Sequence, residues 1–188
     1  MRRCLALLIG IAVLTSAAHA ASGSGAFSGA STDVLGASHA RSLAAISDDA
    51  VRFSSSPALG GLGWIVELHK TPKGAQGEAL FFDGHPSLGW RRIGWLRLAA
   101  SDANYARLVA RIDELLGRGD PEAAGPLVIC TDGPGYLTER RLNGKTTRLG
   151  GFCGDHPNNE IASIMEGVIA RFGPLPGRTT SDLSADGH

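Results

Sequence analysis

Cysteine is scarce in this chain: three residues, at positions 4, 130 and 153, with no Cys-x-x-Cys among them. That excludes, at the level of motif, a dithiol redox pair and a cysteine-built zinc cradle. Equally missing are a Gly-x-Ser-x-Gly elbow, a phosphate loop, a His-Glu-x-x-His run and a dinucleotide fingerprint, so no cofactor is expected and the common catalytic signatures are not there. Nor is there an excess of one charge, because 18 basic side chains meet 18 acidic ones. A nucleic-acid partner, which calls for a basic surplus, is not expected. Beyond residue 14 no apolar run approaches the roughly 20 residues of a spanning helix.

What is present begins with "MRRCLALLIGIAVLTSAAHAA". Two arginines, an apolar run and Ala18-His19-Ala20 make the three regions of a secretory signal peptide, expected over 1–20. Cys4 precedes the apolar run, away from where a lipidated cysteine would sit, so neither a lipid anchor nor a membrane span is expected in the mature chain. A periplasmic or secreted location follows. Losing two arginines and no acid would leave a net charge of about −2.

Residues 21–61 are rich in Ala, Ser and Gly and read as a flexible lead, in which "ASHARSLAAISDDAVRF" could dock as a short helix or strand. Residues 174–188 read as a polar tail. Between them, 62–173 reads as one α+β domain. "LGWIVELHK" (62–70), "EALFFD" (78–83) and "WRRIGWLRLA" (90–99) read as strands. Ser101 then caps a helix in which Tyr105, Leu108, Val109, Ile112, Leu115 and Leu116 share one face. "PLVICTD" (126–132), "YLTERRL" (136–142) and "KTTRL" (145–149) read as three more strands, the last two joined by Asn143-Gly144, a type I′ turn signal. A second helix starts near Pro157, capped by Asp155 or His156, and presents Ile161, Ile164, Met165, Val168, Ile169 and Phe172. The expectation is an antiparallel sheet of about six strands in βββα-βββα order, with two amphipathic helices on one face.

With Cys4 gone, Cys130 and Cys153 form an even pair in an oxidising compartment, and a disulfide between them would contribute roughly 3 kcal/mol. The alternative is a thiol site in which Cys153 is activated by His156 before a helix N-terminus. Glu67, His69 and Glu78 could cluster for acid/base chemistry if 62–83 forms a hairpin around Gly74, with His69 near Glu78 and Asp83 near Trp64. His69 and His85 would then lie on the order of 15 Å apart, so no metal site is expected. Trp90 and Trp95 have opposite parity in a regular strand, and Trp90 beside Arg91, Arg92 and Arg97 makes a candidate binding patch. Arg140, Arg141, Lys145 and Arg148 gather on the Asn-Gly hairpin, where they would blunt an edge strand. The expected function is a small exported binding or interaction domain contacting a protein or polymer of the cell envelope. A small hydrolase or thiol enzyme using Cys153 with His156, or Glu67 with His69 and Glu78, is the alternative.

Overall fold

A computed structural model of the chain describes residues 34, 35, 37–120 and 133–171. The signal peptide expected over 1–20, the strand expected over 126–132 with Cys130, and the polar tail expected over 174–188 lie outside the described residues. Six strands form one antiparallel sheet: β1 (Asp49–Ser56), β2 (Gly61–Thr71), β3 (Gly74–His85), β4 (Gly89–Ala100), β5 (Gly135–Leu142) and β6 (Lys145–Gly150). Helix α1 (Asp102–Gly117) follows β4, and α2 (Pro157–Ala170) follows β6. The spatial order is β4-β3-β2-β1-β5-β6. Among the described residues no helix is long and apolar enough to cross a membrane.

This is a mixed α+β fold, but the described strands divide four and two around α1 rather than three and three. The difference is β1, which lies inside the stretch read as a flexible lead and occupies a central position between β2 and β5. Its sequence, "DAVRFSSS", has only two large apolar residues, which suffice because they alternate. Val51 and Phe53 enter the main core with Trp64, Val66, Leu68, Phe81 and residues of both helices, while Arg52, Ser54 and Ser56 project to the other side and are also buried. A strand needs one apolar face per pleat, and polar residues can fill the second when they are covered.

The cover is the preceding segment. Val34 and Leu35 join Ile65, Leu80, Phe82 and Trp90 in a second apolar cluster on the outer side of the sheet, and Leu43 of a short 3-10 turn (Leu43–Ala45) is buried there too. Residues 37–46 thus form a strap over the side of the sheet that the helices leave open.

Local chemistry fixes the remaining elements. The Ser101 hydroxyl accepts the Asn104 N–H at 3.3 Å to start α1, and the His156 ring Nδ1 accepts the Asn158 N–H at 3.1 Å to start α2. Asn143 and Gly144 take φ values of 50° and 81°, the left-handed pair that closes β5 onto β6. The β2–β3 hairpin turns through Pro72 and Lys73, so Thr71 opposes Gly74 and His69 opposes Gln76. That register differs by two residues from the expected one, because the turn is centred before Gly74 rather than on it.

Candidate functional site

One row of charged residues crosses the whole outer side of the sheet. In register from edge to edge, Arg148 of β6 meets Glu139 of β5, then Arg52 of β1, Glu67 of β2, Glu78 of β3 and Arg97 of β4. Arg52 is the hub. Its guanidinium is 2.6 Å from Glu67 Oε2 and 3.0 Å from Glu139 Oε2, and it also donates to the Arg41 carbonyl of the strap. Glu139 receives Arg148 Nε at 2.8 Å. Strap and sheet bury Arg52 to 4 % exposure and Glu139 to 5 %, which a charge tolerates only when it is paired and hydrogen-bonded.

The row then opens. Glu67 and Glu78 are directly opposed, an arrangement that is unfavourable unless cations flank it. Arg52 supplies one flank, and Arg97, in register with Glu78, supplies the other. Here the outer side forms a groove of about 750 Å³ into which Glu67, His69, Gln76, Glu78, Arg92 and Trp95 open, with Arg41 of the strap and Arg97 on its rim. The Arg97 guanidinium lies 5.6 Å from the Trp95 ring centroid, and Trp95 is 54 % exposed. Among the described residues neither Arg92 nor Arg97 forms an ion pair.

The structure therefore brings Glu67, His69 and Glu78 together with Arg92 and Arg97, two groups that the sequence reading treated separately. It does so through a bulge. Pairing of β3 with β4 slips between Phe81 and Phe82, leaving Ile93 as the extra residue. Trp95 opposes Leu80 and Trp90 opposes Gly84, so the two tryptophans share the outer side despite their odd spacing. This corrects the opposite-face expectation, which assumed an uninterrupted pleat. Trp90 packs in the strap cluster rather than in the groove, and its indole N–H is buried without an acceptor among the described residues. Arg91 opposes Asp83, on the alternate side from Arg92.

Glu67 is committed to Arg52 by two contacts, Nε at 3.0 Å and Nη2 at 2.6 Å, and His69 Nδ1 is buried with no hydrogen-bond partner among the described residues. At the other candidate site, His156 is fully buried and acts as the cap of α2; its Nε2 stands 3.6 Å from Asp120 Oδ1 and lies against Gly151, where a Cβ would collide with the ring. Cys153 is buried, and its carbonyl accepts the His156 N–H at 3.2 Å. The Nδ1 thus caps the start of α2, while Nε2 faces Asp120, just past the end of α1. Among the described residues no group of three or more His, Cys, Asp or Glu could hold a metal ion.

The hairpin arginines separate by parity. Arg141 pairs with exposed Asp48 at 2.9 Å, and Lys145 and Arg148 are exposed, but Arg140 is turned to the helix side and is 4 % exposed. It does not blunt the edge. It donates to Asp49 Oδ1 at 2.7 Å and to Asp113 Oδ1 at 2.9 Å, and the Tyr105 hydroxyl donates to the same Asp49 oxygen at 3.0 Å. Burial opposes charge on Arg140, but these hydrogen bonds outweigh it and raise its affinity for the proton. Burial, and then the Asp49 charge and hydrogen bond, push the Tyr105 phenol well above its ordinary value. This network ties α1 to β1 and β5 and lies on the side of the sheet away from the groove.

Compared with known proteins, the chain matches no family model, no curated protein and no solved structure.

Proposed function

We infer that the protein is an exported binding module whose outer groove receives an acidic polymer of the cell envelope, with sugar-like rings against Trp95 and anionic groups against Arg92 and Arg97. The carrying observation is a half-exposed tryptophan beside two guanidinium groups, Arg92 and Arg97, that form no ion pair among the described residues. An indole face offers a flat apolar platform and an arginine fork offers directed donors, the two contributions that recur at binding hot spots. Export is supported by the charged, apolar and Ala-x-Ala regions of 1–20. The proposed Cys130–Cys153 staple is supported by the even cysteine pair left after cleavage and by the burial of Cys153.

The enzyme alternative has less behind it. The Glu67 carboxylate is engaged by Arg52, and the His156 ring is engaged as a helix cap. The test is a tryptophan-fluorescence titration with an oligouronate and, in parallel, a neutral oligoglucan. Saturable binding of the oligouronate, weakened at least tenfold by Trp95→Ala and by Arg97→Ala, is expected. Equal binding of both oligosaccharides, or affinity indifferent to Trp95, would sink this reading. Turnover that disappears in Glu78→Gln would replace it with the hydrolase.

A further inference from the structure

The two helices do not cover all of the apolar surface they carry. Helix α2 buries Ile161, Met165 and Ile169 in the core, yet Ile164 and Val168 remain half-exposed, as does Leu108 of α1. These three side chains wall a groove of about 630 Å³ between the helices, and Leu68 and Leu98 lie at its base. The helices run antiparallel here, since Arg111 of α1 meets Glu160 of α2 while Asn104 and Arg107 share the groove with Val168 and Arg171.

Three features define what could fill it. Every charged side chain lining the groove among the described residues is an arginine: Arg107, Arg111 and Arg171. Arg111 is already bound to Glu160 and Glu114, bridging the helices at one end. Arg107 donates only to neutral oxygens, Ala103 O and Asn104 Oδ1, and together with Arg171 it marks the opposite end. Along α2, Gly167 sits where an added Cβ would meet nothing within 4 Å. Glycine inside a helix is unfavourable relative to alanine, and at this position it keeps the groove wide.

We propose that this groove binds a single-chain anionic amphiphile, with its head between Arg107 and Arg171 and its alkyl tail along Leu108, Ile164 and Val168 towards the Arg111–Glu160 bridge. Charge and shape both select this occupant. An all-arginine rim favours an anion over a cation, and an apolar trough of this volume fits one small ligand. A docked helix would need a contact surface of roughly 800 Å² on each partner. The site is on the opposite side of the sheet from the outer groove, so the two binding readings stand or fall separately.

The experiment is calorimetric titration of the full chain with sodium decanoate below its micelle concentration, beside decyltrimethylammonium and butyrate. One-to-one decanoate binding is expected, at least tenfold tighter than either control. Gly167→Leu should fill the trough, weaken decanoate at least tenfold and leave the thermal midpoint unchanged or higher. Arg171→Gln should weaken it about fivefold. Equal binding of the cationic amphiphile, unchanged binding by a folded Gly167→Leu protein, or no saturable binding up to millimolar decanoate would overturn the proposal. So would binding confined to an acidic amphipathic peptide.

Discussion

On the β6 side of the sheet, Arg148, Glu139, Arg52 and Glu67 are closed by ion pairs of 2.6 to 3.0 Å; on the β4 side, Glu78 and Arg97 oppose each other in register without one. The residue types are the same, and the difference is one of cover at the centre of each region: Arg52 and Glu139 are buried, whereas Glu78 and Arg97 are exposed. The strap lies over Arg52, where an unpaired charge would be costly, and leaves Glu78 and Arg97 to water, where pairing gains little. Where the row is covered, its charges satisfy one another; where it is open, Glu78 and Arg97 face water. The groove begins where the strap ends.

The largest effect should come from breaking the covered half. Arg52→Ala leaves Glu67 and Glu139 facing a gap, and a loss of about 3–5 kcal/mol is expected in urea unfolding. Replacing the whole triad, with Arg52→Met, Glu67→Leu and Glu139→Leu together, should recover most of that loss, because the cost lies in stranding a charge rather than in lacking one. If the triple variant is as weak as the single one, the row contributes more than mutual neutralisation.

A smaller effect tests the second buried guanidinium, Arg140. Tyr105→Phe removes one hydrogen bond to Asp49, which should cost about 1 kcal/mol at neutral pH. Because the folded phenol is shifted upward, the native state keeps its proton above the ordinary tyrosine value of about 10 while the unfolded chain releases it. Tyr105 therefore contributes stability that is fully present below that pH and falls as pH rises beyond it. The wild type should lose about 1.4 kcal/mol per pH unit more steeply than Tyr105→Phe in this range, measured by urea unfolding at successive pH values. Parallel curves would mean that the phenol is not shifted.

The smallest effect belongs to the open half. Glu78→Gln removes the carboxylate opposing Glu67 and should stabilise by no more than about 0.5 kcal/mol. A loss above 1 kcal/mol would show that the open half is structural as well, and the contrast would fail.

Much of this architecture was legible where one signal acts alone. Ser101 and the spacing of Tyr105, Val109, Ile112 and Leu115 locate α1, and Asn143-Gly144 fixes its hairpin, because capping and left-handed turns are local. β1 was legible only as a short helix or strand that could dock from the lead, not as a central strand, because its outward residues, Arg52, Ser54 and Ser56, look like those of a solvated segment; their burial depends on a strap and on Glu139, 87 positions from Arg52. The union of Glu67 and Glu78 with Arg92, Trp95 and Arg97 was half-legible. Clustering of the first two on one hairpin was expected, but the direct opposition of Glu67 and Glu78 came from a register two residues away from the expected one, and the alignment of the tryptophans required a bulge that strict alternation does not reveal. Arg140 and Arg148 look alike in the sequence, and only the pleat sends one inward and the other to water.

The position of β1 also bears on the order in which the sheet can be assembled. Synthesis delivers β1 first among the strands, and β2, β3 and β4 can pair beside it as soon as they emerge. The other edge of β1 stays open until residues 135–142 are made, more than 75 residues after β1 itself. Until then Arg52 has Glu67 but not Glu139, and a strand destined for the middle of the sheet presents a bare edge with its backbone groups unpaired. A chain stopped before β5 would thus hold four ordered strands and one sticky margin, and completion of the sheet would be a single late event that seals the margin and neutralises the hub together.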